Sequence, residues 1–237
     1  MNNRFFQEKK YFMLREATAK HENRYPSTPL YIKENLPKNK TAKILDIGCG
    51  YGGFLLQLKH EGYTNIEGID INEEAVGYCK NKGLHVVKID SISNFAQTHF
   101  SSKYDFIIMT HVLEHIHKQD IITTLISVKS LLTSEGRLYL TTPNAQSRSG
   151  TYWAYEDFTH EWIFTSGSLK YVLRAADFSD VQFIDIDGTS NSRFKYIKKV
   201  FLWVYKNTNR FWDKITGAAY HPESPNIYTW ELKVIAQ

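Results

Sequence analysis

The stretch KILDIGCGYGGFLLQL, residues 43 to 58, decides how this chain is read. Its opening, "KILDIG" (43 to 48), is apolar enough for a buried strand. Its middle places Gly48, Gly50, Gly52 and Gly53 within six positions, and apolar residues then resume at helical spacing. A strand that bends at once into a helix needs residues without a Cβ, which let the backbone turn sharply and let N–H groups approach a ligand.

Outward from this bend, short apolar runs alternate with longer amphipathic ones. The strands expected next are "IEGIDI" (66 to 71), "HVVKID" (85 to 90), "YDFIIMT" (104 to 110) and "GRLYLTT" (136 to 142). Between them, "GGFLLQLKHEG", "NEEAVGYCKNKG" and "KQDIITTLISVKSLLTSEG" predict helices, the last with Ile121, Leu125, Val128 and Leu132 on one face. Each closes on a glycine suited to a left-handed cap. This rhythm predicts a parallel sheet. "VQFIDID" and "IYTWELKVIAQ" extend it to seven strands. Residues 1–40 precede the rhythm and read as helical capping segments, broken near Pro26 and Pro29 and closed by Pro37. The expected organisation is a single domain, 1–237, with that cap, a core over 41–187, an insertion over 188–226 and a last strand over 227–237.

The 237 residues, 42% apolar and 23% charged, suit one globular core. A net charge of +4, from 29 basic and 25 acidic residues spread along the chain, does not call for a nucleic-acid partner. Cys49 and Cys79 form no C-x-x-C, so neither a disulfide framework nor a zinc ribbon is expected. The first residues lack the apolar core of a secretory signal, and no run approaches the roughly 18 apolar residues of a membrane span. Free thiols in the cytoplasm are the expectation.

Gly48, Gly50 and Gly53 satisfy G-x-G-x-x-G, a dinucleotide pattern that a tight turn without a ligand would also produce. Asp70, twenty residues after Gly50, ends the next strand where a carboxylate can accept both ribose hydroxyls. Asp46, two residues before Gly48, separates two ligands. A carboxylate there repels a pyrophosphate, as in NAD, but suits a sulfonium with its α-amino group. The bend favours S-adenosylmethionine.

"ILDIGCGYGGF", with "IEGIDINEEAV", "YDFIIMTHVLEHI" and "LLTSEGRLYLTTPN" in order, resembles the class I S-adenosylmethionine-dependent methyltransferases over residues 41 to 187. The resemblance implies an α/β, Rossmann-like, mostly parallel seven-stranded sheet with helices on both faces and an antiparallel last strand. It also implies that Gly48, Cys49 and Gly50 cradle the methionine part above Asp46, that Asp70 holds the ribose, and that Ile71 lies against adenine. Asp90 and Ser91 would approach the adenine amino group, His111 would lie beneath the sulfur, and Arg24 would pair with the methionine carboxylate.

For the acceptor, Tyr152, Trp153 and Tyr155 offer flat surfaces for a sugar or ring. Asp157 and His160 are three residues apart, so a helical turn would set them side by side, with the carboxylate raising the basicity of a catalytic imidazole. "DFTHE" with "FTSGSLKYVLRAADF" resembles a subgroup that modifies capsule, O-antigen or their precursors, which implies O-methylation of a sugar or phosphate-bearing group. N-methylation of a small amine and a nicotinamide-dependent oxidoreductase are the alternatives. Thr165 or Ser166 reads as a helix N-cap.

"HVLEH", residues 111 to 115, spells H-x-x-E-H, which on a helix would set two histidines one turn apart as metal ligands. His111 is expected at a strand end, so no metal is expected. In the insertion, Phe194, Ile197, Phe201, Val204 and Tyr205 keep helical spacing among Lys195, Lys198, Lys199 and Lys206. That pattern suits a lid, a homodimer contact or a peripheral membrane contact.

Overall fold

The computed structural model describes residues 30–184, 195–217 and 224–237. Arg24, Phe194 and most of the expected N-terminal cap lie outside these residues.

The described chain runs α1 (Leu30–Lys33), β1 (Ile44–Ile47), α2 (Gly53–His60), β2 (Ile66–Asp70), α3 (Glu73–Asn81), β3 (Val86–Lys88), α4 (Ile92–Thr98) and β4 (Tyr104–Thr110). It continues with α5 (Ile121–Ser130), β5 (Leu132–Pro143), α6 (Gly150–Glu156), α7 (Ser166–Ala175), β6 (Val181–Phe183), α8 (Lys195–Thr216) and β7 (Glu231–Ala236). Two short 3₁₀ turns, Leu113–His115 and Lys118–Asp120, lie between β4 and α5.

The seven strands form one sheet in the order β3-β2-β1-β4-β5-β7-β6. All neighbours are parallel except β7, which runs antiparallel to β5 and β6. The expected architecture is therefore the observed one. Strand order reverses between β1 and β4, which opens a crevice at their carboxyl ends, where sheets of this kind take ligands.

Both faces of the sheet are covered, which explains the nearly continuous apolar strands. Leu45, Ile107, Met109, Leu138, Leu140 and Val234 face one layer with residues of α4, α5 and α7. The alternate positions Ile44, Phe106, Ile108, Tyr139 and Ile235 face a second layer with Leu58 of α2. A third cluster joins Leu55 to Val76, Cys79, Leu84 and Val86.

Helix ends follow local chemistry. Asn72 caps α3 by accepting from Ala75 N–H, and Ser91 caps α4 by accepting from Asn94 N–H. Thr165 caps α7 in a reciprocal box with Ser168, as the sequence suggested. Gly62 and Gly83, at φ 88 and 69, follow α2 and α3 in the left-handed conformation expected of them.

The third expected helix is shorter than its pattern. It stops at Ser130, and Leu132 pairs with Tyr104 before the register shifts to place Arg137 beside Phe106. Gly136 lies inside that irregularity, where a Cβ would come within 2.7 Å of the Tyr104 carbonyl. Its glycine serves close strand packing and not a cap.

Candidate active site

Beyond β1 the chain turns through Gly48, Gly50 and Gly52 at φ 69, 51 and 76. A Cβ on Gly48 would run into Val112 Cγ2, so this glycine lets the turn after β1 approach the turn after β4. A Cβ on Gly50 would meet nothing within 4 Å, which leaves open space above its backbone.

Below the turn, Asp46 is almost fully buried and its Oδ1 has no hydrogen-bond partner. Burial, then the charge of Asp70 and that of Cys79, pushes its carboxyl well above the usual carboxylate range. Asp70 accepts hydrogen bonds from Gly50 N–H at 2.8 Å and Asn72 N–H at 2.7 Å. Burial raises its pKa too, although those N–H groups and that of Ile71 oppose the rise. Two buried acids, one holding an orphan oxygen, disfavour a pyrophosphate and suit a cationic ligand. The residues present therefore fit S-adenosylmethionine.

The other residues expected around this ligand are spread more loosely. Ile71 is an exposed apolar side chain just past β2, available to a flat ring. Cys49 is buried against Leu55, Val76 and Cys79, with its Sγ 3.8 Å from the Gly50 carbonyl. Asp90 is exposed and pairs with Lys88 at 3.5 Å, while the Ser91 hydroxyl is already engaged in capping α4.

His111 sits just past β4 at φ 53, a left-handed conformation uncommon for a non-glycine residue. Its Nδ1 meets Glu114 Oε1 and its Nε2 meets Glu231 Oε2, both at 3.1 Å. Carboxylates on both nitrogens require both protons. Burial lowers the imidazole pKa, but the hydrogen bonds and charges of Glu114 and Glu231 outweigh it and push it up to about 9. Glu231 also pairs with the buried Lys233. Its own pKa is raised by burial but carried below the usual range by His111 and Lys233. The H-x-x-E-H reading thus fails as written, because His111 is an ion-pair partner with no free lone pair.

Asp157 and His160 do not share a helical turn, since α6 stops at Glu156 and a turn closes from His160 N–H to the Asp157 carbonyl at 3.1 Å. The Asp157 carboxylate instead accepts from the Thr159 hydroxyl at 2.6 Å and its N–H at 3.0 Å. Having donated its proton, that hydroxyl can only accept from His115 Nδ1, 2.8 Å away. His160 Nδ1 meets the Trp153 carbonyl at 2.6 Å, so a main-chain oxygen fixes the tautomer that Asp157 was expected to fix. Both imidazoles therefore carry their lone pairs on Nε2. Burial, offset by the charge of Glu114 but reinforced by His160, lowers the His115 pKa and keeps it neutral.

Trp153 and Trp230 wall this region with ring centroids 5.3 Å apart. Tyr152 stands edge-on to Trp153, and His111 stacks on Trp230 at 5.5 Å. Tyr155 is mostly exposed. Glu114, His115, Thr159, Trp230 and Glu231 are additions to the residues expected from sequence. Of these, only Glu114 and His115 carried a signal, through the H-x-x-E-H spacing.

A family described as a methyltransferase domain matches residues 19–182. The chain is 30% identical over 122 residues to the ubiquinone biosynthesis O-methyltransferase of Actinobacillus pleuropneumoniae, covering 48% of this chain and 51% of that protein. It is 26% identical over 136 residues to the protein of the same name from Erwinia tasmaniensis, covering 56% and 50%. The chain thus spans about half the length of these relatives. An S-adenosylmethionine-dependent methyltransferase structure from Archaeoglobus fulgidus superposes with a TM-score of 0.67 at 24% identity, covering 95% of this chain and 98% of that one. These relatives are named for ubiquinone biosynthesis, so the expected kinship with polysaccharide-modifying enzymes finds no support in them. The match displaces the oxidoreductase alternative.

Proposed function

Because the chain belongs to the methyltransferase-domain family, we propose that it is an S-adenosylmethionine-dependent O-methyltransferase acting on a hydroxyl of a flat, ring-bearing acceptor. The observation that carries the cofactor half is Asp46, a buried carboxyl with an unpartnered oxygen beneath an open glycine turn. S-adenosylmethionine, when bound, supplies an electrophilic methyl on a positively charged sulfur. Asp46 would offset the donor's positive charge, the Gly48–Gly50 backbone would leave room for the methionine part, and Asp70 would exchange its bond to Gly50 N–H for the ribose hydroxyls.

Support for an oxygen acceptor comes from the relatives named for O-methylation. Support for a ring comes from the Trp153–Trp230 wall. Methyl transfer is an in-line displacement, so the enzyme's main tasks are to align the acceptor oxygen and exclude water. His115 and His160, each with its lone pair on Nε2, would accept that hydroxyl's proton.

Titration calorimetry with S-adenosylhomocysteine and with NAD tests the cofactor assignment. The former should bind and the latter should not, and Asp46→Asn should weaken binding of S-adenosylmethionine, whose sulfonium carries the charge, about tenfold or more, the scale of one charged contact. NAD binding in its place would sink the reading. Incubation with labelled donor and a panel of catechols, glycosides and amines, read by mass, tests the acceptor. Labelling confined to glycosides or amines would refute the ring hydroxyl.

We propose further that α8 brings the domain to an anionic membrane surface, where an amphiphilic acceptor would be presented. Along this helix Ile197, Val200, Phe201, Val204, Phe211 and Ile215 are each about half exposed or more, with Lys199, Arg210 and Lys214 on the same helix. Apolar side chains interleaved with basic ones complement an anionic interface. No helix among the described residues is long and apolar enough to cross a membrane.

A further inference from the structure

The H-x-x-E-H spacing misassigns one ligand and leaves two. Glu114 and His115 sit on the 3₁₀ turn after β4, and the chain after α6 is tied to that turn because Glu161 N–H and Trp162 N–H both donate to the Glu114 carbonyl, at 2.8 and 3.3 Å. This tie brings His160 over His115, with ring centroids 4.8 Å apart. One ligand atom from each of Glu114, His115 and His160 lies within 4.8 Å of the other two.

We infer that these three side chains form a binding site for a divalent transition-metal ion of the Zn2+ class. Three features favour it. Glu114 is completely buried, and while its Oε1 serves His111, its Oε2 has no partner. A buried carboxylate oxygen with nothing to accept from is costly, and a cation removes that cost. Both histidines also hold the tautomer a metal requires, with Nδ1–H given to a protein oxygen and the lone pair on Nε2. Finally, each has the outer support typical of metal-binding histidines: Asp157 acts on His115 through Thr159, and the Trp153 carbonyl holds His160. Ligand atoms about an ion with bonds of 2.0–2.1 Å lie roughly 3.3 Å apart in tetrahedral geometry. The side chains, with a ligand atom from each within 4.8 Å of the others, would close to that spacing on binding.

Two imidazoles with one carboxylate suit a borderline ion better than Mg2+, which prefers oxygen alone. Three protein ligands leave a position for the acceptor. The consequence for methyl transfer rests on the function proposed above. The ion's charge would lower the acceptor hydroxyl's pKa, the proton would leave to solvent, and the oxygen would form its bond to the methyl as the sulfur–methyl electron pair stays on sulfur. His160 would then be a ligand and not a free base.

Metal binding is read without activity. Metal-free protein titrated with Zn2+ and analysed by elemental mass spectrometry after gel filtration should retain one ion per chain. His160→Ala and Glu114→Gln should each lower affinity at least a hundredfold, and Thr159→Val, which breaks only the outer support, by about ten- to a hundredfold. His85→Ala, an exposed histidine far from the cluster in sequence, should bind as the parent does. S-adenosylhomocysteine affinity, measured on the same samples, reports that each variant is folded. Retention below a tenth of an ion by the parent, or equal retention by the parent and His160→Ala, overturns the site. A parent that retains the ion while transferring no methyl group to any acceptor would fail the proposed function and leave this site standing. Full methyl transfer by protein that retains no ion would do the reverse.

Discussion

His111 shows at the scale of one residue how the site holds charge. Its imidazolium is enclosed by Glu114 and Glu231, with Lys233 balancing the second carboxylate. A pKa raised from 6.5 to about 9 on folding means that the folded state binds this proton more tightly than the unfolded one. Its contribution to stability is therefore complete below about pH 6.5 and is lost as pH rises through 9. Thermal unfolding followed from pH 6.5 to 9.5 should show a falling midpoint in the parent. In His111→Gln, which cannot carry the charge, the fall over that window should be shallower, and equal slopes would remove His111 as the cause. The same residue marks the limit of reading from sequence. Its place after a strand was visible, but its Glu231 partner is 120 residues away, and local spacing carries no trace of such a contact. The placement of Asp46 and Asp70 was legible because it depends on a glycine turn and a strand end within the same βαβ unit. The Asp157–His160 pair was not, since it assumed a helix where the chain had already turned.

Among the elements, the strands were read most faithfully, since covered faces demand nearly continuous apolar runs. Helix ends were harder. In "LLTSEG" the apolar pattern of α5 runs on into β5, and only the pairing of Leu132 with Tyr104 shows where one stops. Helix α8 was legible as a helix, but what faces it was not. Sedimentation with vesicles separates the occupants. The parent should pellet with phosphatidylglycerol vesicles and less with phosphatidylcholine alone, whereas Phe201→Glu combined with Phe211→Glu should stay in the supernatant. A parent that remains soluble with both lipids would refute the membrane contact, and light scattering at twice the chain mass would point to a second copy on that stripe.

For the molecule as a whole, the decisive feature is the antiparallel β7 between β5 and β6. Because its direction is reversed, its first residue, Glu231, lies beside Pro143 at the carboxyl edge of β5, and Trp230 arrives there with it. The sequence made a last strand visible but not that its leading end would reach the candidate site. Asn144 holds the approach to it, donating from Nδ2 to the Ile227 and Thr229 carbonyls at 2.8 and 2.9 Å. A chain stopped after Trp230 would leave β5 and β6 as bare edges, and such edges promote aggregation. It should lose its cooperative unfolding transition by circular dichroism; a transition like the parent's would show that β7 is dispensable.

The same arrangement sets a timetable for synthesis. The segment that joins β6 to the sheet emerges from the ribosome after all six of its companions, so until then β6 has no partner strand and Glu231 is missing. Assembly of the candidate site and closure of this end of the sheet are thus a single late event.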